Sequence, residues 1–197
     1  MRIRNNINIL GLVSLILFIC TSCSVKNQVE AEYKKLDSLS IVLNTKLTEL
    51  NKCDTALLLR AITKFTNYAV FIENNLSDTI TKTQANGLQQ LYVSGNNLKA
   101  FAVNRINIRS RSNLVIEQVR KLNSDLEKGL ITKADYLKNF ETESKAMLQL
   151  ITYCDNETKN FNSNIQDFKN AISPVEMLIK SRNNGLLPEA IKDSVSI

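Results

Sequence analysis

The sequence predicts an all-α protein: an elongated antiparallel bundle of three long helices, or of four if the first helix breaks near residues 51–55, plus a short C-terminal helix. The first observation is composition, because Gly and Pro are scarce while Leu, Lys, Glu, Gln and Ala, which favour helices, are common. The second is periodicity, since apolar residues recur at spacings of three and four along most of the chain. That spacing is typical of a helix with one buried face.

The first long helix is predicted to begin near Gln28. Residues 51–55 are its weak point, because Asn, Asp and Thr prefer caps and turns to helix interiors. One uninterrupted helix and a hairpin of two helices are both compatible with the pattern. The positions that share its buried face are Val29, Tyr33, Leu36, Leu43, Leu47, Leu50, Asp54, Leu58, Ala61, Phe65, Ala69, Ile72 and Leu76.

The second long helix is predicted over about residues 81–128. Thr81 and Gln84 have the spacing of a capping box, in which each side chain bonds the backbone N–H of the other residue. Its apolar face comprises Leu88, Leu91, Leu98, Phe101, Ile108, Val115, Val119, Leu122 and Leu126.

The third long helix has the clearest apolar stripe. Gly129 is predicted to end the helix before it, and Thr132 with Asp135 has the spacing of a second capping box, Asp replacing the usual Glu. Spacings of three and four then alternate without a break, which indicates a helix that faces a partner. The stripe is Leu137, Phe140, Ser144, Met147, Ile151, Cys154, Thr158, Phe161, Ile165, Phe168 and Ile172.

A separate short helix is predicted after the third. Ser173-Pro174-Val175-Glu176 has the pattern of a capping box with proline at the first helical position, so the helix should run to about Arg182. Asn183-Asn184-Gly185 is predicted to end it. Residues 183–197 form a tail that either docks against the bundle or contacts another protein.

The first 23 residues have the pattern of a secretory signal. Arg2 and Arg4 precede an apolar run from Ile9 to Cys20, and Thr21-Ser22-Cys23 follows. The run of about 12 apolar residues suits a signal peptide, whereas a transmembrane helix needs roughly 20. The segment resembles the signal peptide of a bacterial lipoprotein.

The resemblance implies an address in the bacterial cell envelope. The chain would be cleaved before Cys23, and Cys23 would carry the acyl chains that bind it to a membrane. Ser24 follows that cysteine, which favours the outer membrane over the inner. The predicted organisation is a cleaved signal over 1–22, a tether over 23–27, a helical bundle over 28–182 and the tail.

Cysteine usage follows from this assignment. With Cys20 removed and Cys23 acylated, Cys53 and Cys154 remain, and an oxidising compartment favours a disulfide between them. The two lie at similar heights, roughly 37 Å and 33 Å from the predicted starts of their helices. The alternative is that each is a small buried hydrophobic group.

Charged residues accompany the cysteines at this level. Asp54 and Asp155 each follow a cysteine, and the second long helix contributes Arg105 and Arg109. We predict a polar layer in which one of these arginines pairs with one of these aspartates, an arrangement that fixes register more than it stabilises. The alternative is that the charges lie at the edge of the stripe and reach water.

Basic residues dominate the middle of the chain, because no acidic residue lies between Asp78 and Glu117. The full chain carries a net charge of +6, which removal of Arg2 and Arg4 would lower. A basic face could contact lipid headgroups, anionic glycans or an acidic partner, although a solvated helix face is the alternative. The residues of this candidate face are Lys82, Lys99, Arg105, Arg109 and Arg111.

The sequence offers little to catalysis. It contains no histidine, which excludes serine–histidine and cysteine–histidine nucleophile pairs, and we expect no enzyme activity, cofactor or metal site. The predicted function is a non-catalytic scaffold or adaptor that binds another envelope protein. The alternative is a module that binds a lipid, an anionic glycan or a toxin. Nucleic acid is not an expected partner, because no aromatic residues interleave with the basic ones, and the oligomeric state is not predicted.

Overall fold

The computed structural model describes residues 25–76 and 79–188, and within them the protein is all-α, with no β-strand. Four helices account for most of these residues: α1 (Glu30–Asn51), α2 (Thr55–Asn75), α3 (Lys82–Glu127) and α4 (Lys133–Arg182). The predicted helical bundle is confirmed, and its first predicted helix breaks between Asn51 and Thr55. None of these helices is both long enough and apolar enough to cross a membrane. The predicted signal peptide and Cys23 lie outside the described residues.

The chain folds into two compact units, and α3 and α4 each contribute to both. The first unit contains the residues up to Thr48 together with Ile108–Tyr153; the second contains Glu49–Asn107 and the residues from Cys154 onward. Leu36, Leu43, Leu126, Tyr136, Met147 and Leu150 are among the fully buried side chains of the first unit. In the second unit the buried side chains include Leu50, Phe65, Leu91, Leu98, Phe101, Phe168 and Ile179.

The break between α1 and α2 falls where the sequence favours turns. Lys52 N–H bonds the Glu49 carbonyl at 3.1 Å and Cys53 N–H bonds the Leu50 carbonyl at 3.3 Å, so a tight turn ends α1. Asp54 then caps α2, because its carboxylate accepts the Leu57 N–H at 2.9 Å. An aspartate in this role satisfies one of the N–H groups that the first turn of a helix leaves open.

The predicted start of α3 is confirmed. Thr81 N–H donates to Gln84 Oε1 at 2.9 Å, and Gln84 N–H donates to Thr81 Oγ1 at 3.3 Å. These two bonds are the reciprocal pair of a capping box.

Its predicted end is confirmed as well. Gly129 has φ 67°, and Leu130 N–H bonds the Asp125 carbonyl at 2.8 Å, as in a Schellman motif.

Only half of the capping box predicted for α4 forms. Asp135 N–H donates to Thr132 Oγ1 at 3.2 Å, but the Asp135 carboxylate accepts the Thr132 hydroxyl at 2.7 Å. A glutamate in this position reaches back to the backbone N–H of the cap residue. The aspartate side chain is one methylene shorter and bonds the nearer hydroxyl.

The prediction of a separate helix after Ser173 is wrong, because α4 continues through Pro174 to Arg182. The φ of proline suits a helix, although its ring removes one backbone hydrogen bond. Pro174 lies against Gly87 of α3, where an added Cβ would stand 2.9 Å from Pro174 Cγ, so the ring fills space that any other residue at 87 would occupy. The predicted stop is confirmed: Asn184 and Gly185 have positive φ, and Gly185 N–H bonds the Lys180 carbonyl at 2.9 Å. Of the predicted tail, residues 189–197 lie outside the described residues.

Candidate functional site

Arg105 of α3 holds the junction of α1 and α2 within the second unit. Its Nη2 donates to the carbonyl of Asn51, the last residue of α1, and its Nη1 donates to Thr55 Oγ1, each at 2.9 Å. The last carbonyls of a helix lack intrahelical partners and carry partial negative charge. The guanidinium is therefore bonded to this helix end and does not form the predicted pair with Asp54 or Asp155.

The other members of the predicted polar layer have different environments. Asp54 serves as the cap of α2, Arg109 is exposed, and Asp155 is half-buried on α4. At the level of Cys53, Arg105 therefore bonds a backbone carbonyl and a hydroxyl, and Asp54 bonds a backbone N–H.

The predicted disulfide is contradicted, because Cys53 and Cys154 are both present as buried thiols. Both belong to the second unit and are buried there. Burial raises the pKa of the Cys53 thiol, while the charge of Arg105 and a backbone hydrogen bond act in the opposite direction. A thiol held protonated in this way is a poor nucleophile.

The five basic residues predicted to share a face do not form one. Within the second unit, the spacings between Lys82, Lys99 and Arg105 place them on three different sides of a helix with 3.6 residues per turn. In the first unit, Arg109 and Arg111 are two residues apart and therefore also diverge. The Lys99 ammonium lies 4.8 Å from the centroid of the Phe65 ring, so it contacts an aromatic group of its own unit.

A groove in the second unit brings apolar and basic side chains together. It lies between α2 and α4 and has a volume of about 400 Å³. We call it the Phe168 groove. Its lining is Leu57, Arg60, Ala61 and Lys64 from α2, with Ile165, Phe168, Lys169 and Ile172 from α4.

The charges of the Phe168 groove are of one sign. Arg60, Lys64 and Lys169 are the charged side chains among its lining residues, and none of the lining residues is acidic. Of the three, Lys64 is bound to Glu176, with Nζ 2.7 Å from Oε1. Arg60 and Lys169 are exposed. Their two cationic groups therefore lie beside the apolar side chains that line the groove.

Glu176 organises one end of this region. Its Oε1 accepts the Tyr68 hydroxyl at 2.6 Å as well as the Lys64 ammonium. Burial raises the pKa of Glu176, but the bonds from Lys64 and Tyr68 outweigh burial and hold that pKa below its usual value of 4.5. Burial, with the Glu176 carboxylate, raises the pKa of Tyr68, so the phenol stays a hydrogen-bond donor.

A second groove lies in the first unit and has a volume of about 610 Å³. Phe140, Leu148 and Tyr153 line it together with Lys35 and Lys145. Ser144 also lines it, with a buried hydroxyl that has no hydrogen-bond partner in the described part of the chain. Its charges are mixed, since Glu141 lies beside the lysines.

Sequence reasoning missed the Phe168 groove. Four of its apolar members, Ala61, Ile165, Phe168 and Ile172, belong to the apolar stripes predicted from the sequence. The fifth, Leu57, does not. The available signal was the spacing of Arg60 and Lys64, which are four residues apart and therefore neighbours on one side of α2. Nothing in a helical period shows which other helix that side will face.

Within the described residues, no group of three or more Cys, Asp or Glu side chains is placed to hold a metal ion. Comparison with family models, with curated protein sequences and with solved structures found no match. The fold defines the class of the protein as an all-α helical bundle.

Proposed function

We propose that the protein is a lipid-anchored adaptor of the bacterial cell envelope, which binds a partner protein through the Phe168 groove. The observation that supports this most is the lining of the groove, which combines apolar side chains from two helices with basic side chains and includes no acidic one. The anchor is supported by the sequence of residues 1–23 and by its resemblance to lipoprotein signals.

An acidic amphipathic helix is the occupant that fits these features. Such a helix docks through apolar residues at positions i, i+3, i+4 and i+7. The lining spans eight residues on each helix, from Leu57 to Lys64 and from Ile165 to Ile172, and the seven rises between the ends cover about 10 Å. An i to i+7 set of anchors covers the same length. Acidic side chains beside those anchors would lie near Arg60 and Lys169.

A second candidate function is binding of an anionic amphiphile such as a fatty acid, which the same basic residues favour. Small-molecule sites bury roughly 70–90% or more of a ligand's surface. The Phe168 groove is open to solvent on one side, so an acyl chain lying in it would keep much of its surface in water. An amphipathic partner helix would bury its apolar side in the groove and leave its polar side in water. A protein partner therefore fits this open groove better than an acyl chain does.

Charge reversal tests the proposal. The double variant Arg60→Glu/Lys169→Glu should lose its partner when the tagged protein is purified from detergent-solubilised envelopes. The control, Lys82→Glu/Arg111→Glu, changes the charge equally at two exposed positions of α3 and should retain the partner. Equal recovery of the partner by both double variants would contradict a role for the groove. Recovery of a bound fatty acid in native mass spectra, with no protein partner, would favour the second candidate.

The anchor has its own test. The intact mass of protein purified from membranes should exceed that of residues 23–197 by the mass of the acyl chains. Cys23→Ala should remove this excess and release the protein from the membrane fraction. An unmodified Cys23 in membrane-bound protein would contradict the anchor.

A further inference from the structure

We infer that the loop between α3 and α4 touches the lipid surface to which the chain is tethered, and that Leu130 inserts between the lipids there. The inference uses the proposed tether at Cys23 and adds a second, non-covalent contact with the membrane. It concerns only the first unit, because residues up to Thr48 and Ile108–Tyr153 belong to that unit.

The start of the described chain lies against the end of α3. Lys26 Nζ stands 2.9 Å from Glu127 Oε1, and the Tyr33 hydroxyl donates to the same oxygen at 2.9 Å. Glu127 is the last residue of α3. The bonds from Lys26 and Tyr33 lower the pKa of Glu127, which keeps its carboxylate charged and able to hold this contact.

The reach of the chain then places the loop near the membrane. Lys26 is the third residue after Cys23, and an extended chain spans at most about 3.6 Å per residue, so their Cα atoms lie within roughly 11 Å of each other. An acylated Cys23 sits at the lipid surface. The contact between Lys26 and Glu127 therefore brings the end of α3, and the loop that follows it, to the same surface.

Leu130 is presented to that surface. It is 71% exposed, more than any other large hydrophobic side chain in the described residues. The turn at Gly129 fixes its backbone, since Leu130 N–H bonds the Asp125 carbonyl. A hydrophobic residue in this position frequently packs back on its own helix, whereas Leu130 is exposed to solvent.

Insertion of Leu130, rather than charge, drives this contact. Lys128 and Lys133 flank the loop, but Asp125 and Asp135 lie close to it in the chain, and Glu127 is neutralised by Lys26. The local charge is therefore nearly balanced. A lone exposed leucine adds affinity only where a tether already holds the loop at the interface, because one apolar side chain gives weak binding by itself.

Tryptophan fluorescence tests the contact directly, since the chain contains no Trp. Leu130→Trp is examined in the tethered protein on vesicles of phosphatidylethanolamine and phosphatidylglycerol, with and without acyl-chain-brominated phosphatidylcholine. The exposure of Leu130 makes the substitution compatible with folding. Leu148→Trp is the matched control, because Leu148 is 50% exposed in the same unit and lies about 22 Å along α4 from Lys133.

Leu130→Trp should show emission shifted to shorter wavelength and quenched by the brominated lipid, and Leu148→Trp should show neither effect. Emission from Leu130→Trp that matches that of the control would overturn the inference. The intact mass of each preparation reports separately on the tether. If the mass shows no acyl chains, the Cys23 thiol is coupled to a maleimide lipid in the same vesicles. The tryptophan emission is then measured and interpreted in the same way.

Discussion

The ring of Phe65 on α2 lies directly on the backbone of Gly95 on α3, because a Cβ atom built on Gly95 would stand 2.4 Å from Phe65 Cγ. The same ring forms a T-shaped contact with the ring of Tyr92, with ring centroids 5.7 Å apart. A glycine inside a helix destabilises it by about 1 kcal/mol relative to alanine. Here the close approach of two helices requires it.

Gly95→Ala should lower the free energy of unfolding by about 1–2 kcal/mol, since displacing a packed ring outweighs the gain in helix propensity. Urea unfolding followed by circular dichroism measures this as a lower midpoint. Asn96→Ala is the control, because Asn96 is the exposed next residue of α3 and its replacement should leave the midpoint unchanged or raise it slightly. An unchanged midpoint for Gly95→Ala would mean that Phe65 does not pack on this glycine.

Arg105→Met should lower the free energy of unfolding by about 1 kcal/mol, because it removes two hydrogen bonds from a charged donor at a half-exposed site. Amide hydrogen exchange at residues 51–55 should accelerate, since the guanidinium joins the end of α1 to the start of α2. Arg109→Met, one turn further along α3, should change neither quantity. Similar results for the two variants would show that Arg105 does not hold this junction.

Protonation of Glu176 should make the protein less stable in acid. Its pKa in the folded state is below its usual value of 4.5, so its ionised form stabilises the fold above pH 4.5 and that contribution is lost as the pH falls through the folded pKa. Urea midpoints measured between about pH 3 and pH 7 should therefore fall less steeply for Glu176→Gln than for the wild type. The control, Glu117→Gln, lies at an exposed position of α3 and should show the same dependence of the urea midpoint on pH as the wild type. If Glu176→Gln also shows the wild-type dependence, Lys64 and Tyr68 do not stabilise the Glu176 carboxylate.

Cys53 and Cys154 should resist alkylation in the folded protein, because both thiols are buried and burial raises the pKa of Cys53. In urea without reductant both should react with iodoacetamide, which intact mass shows as two added groups. If alkylation in urea requires a reductant, the two residues form a disulfide after all.

Local signals in the sequence account for the ends of the helices. The capping residues Thr81 and Gln84, the turn at Gly129 and the cap at Asp54 depend on neighbours within a few residues, and such contacts are encoded in short motifs. The break at 52–54 was one of two alternatives, and Asp54 decided it by bonding Leu57.

Contacts between distant segments could not be predicted in this way. Pro174 continues α4 because Gly87, far away in the chain, leaves space for its ring. The Phe168 groove depends on which sides of α2 and α4 meet, and periodicity alone does not determine how helices pair. Arg105 was expected to bond a carboxylate, but the nearest acceptors are a helix-terminal carbonyl and a hydroxyl, which no charge pattern reveals.

Photo-crosslinking at Leu57 in living cells tests the central claim most directly. Leu57 lines the Phe168 groove, whereas Leu59 of the same helix is 61% exposed and does not line it. A photoreactive residue at 57 should crosslink one envelope protein, at a segment with acidic residues beside an apolar helical stripe, and the same residue at 59 should not. Crosslinking of the same proteins from both positions, or of none from position 57, would contradict the proposed adaptor function.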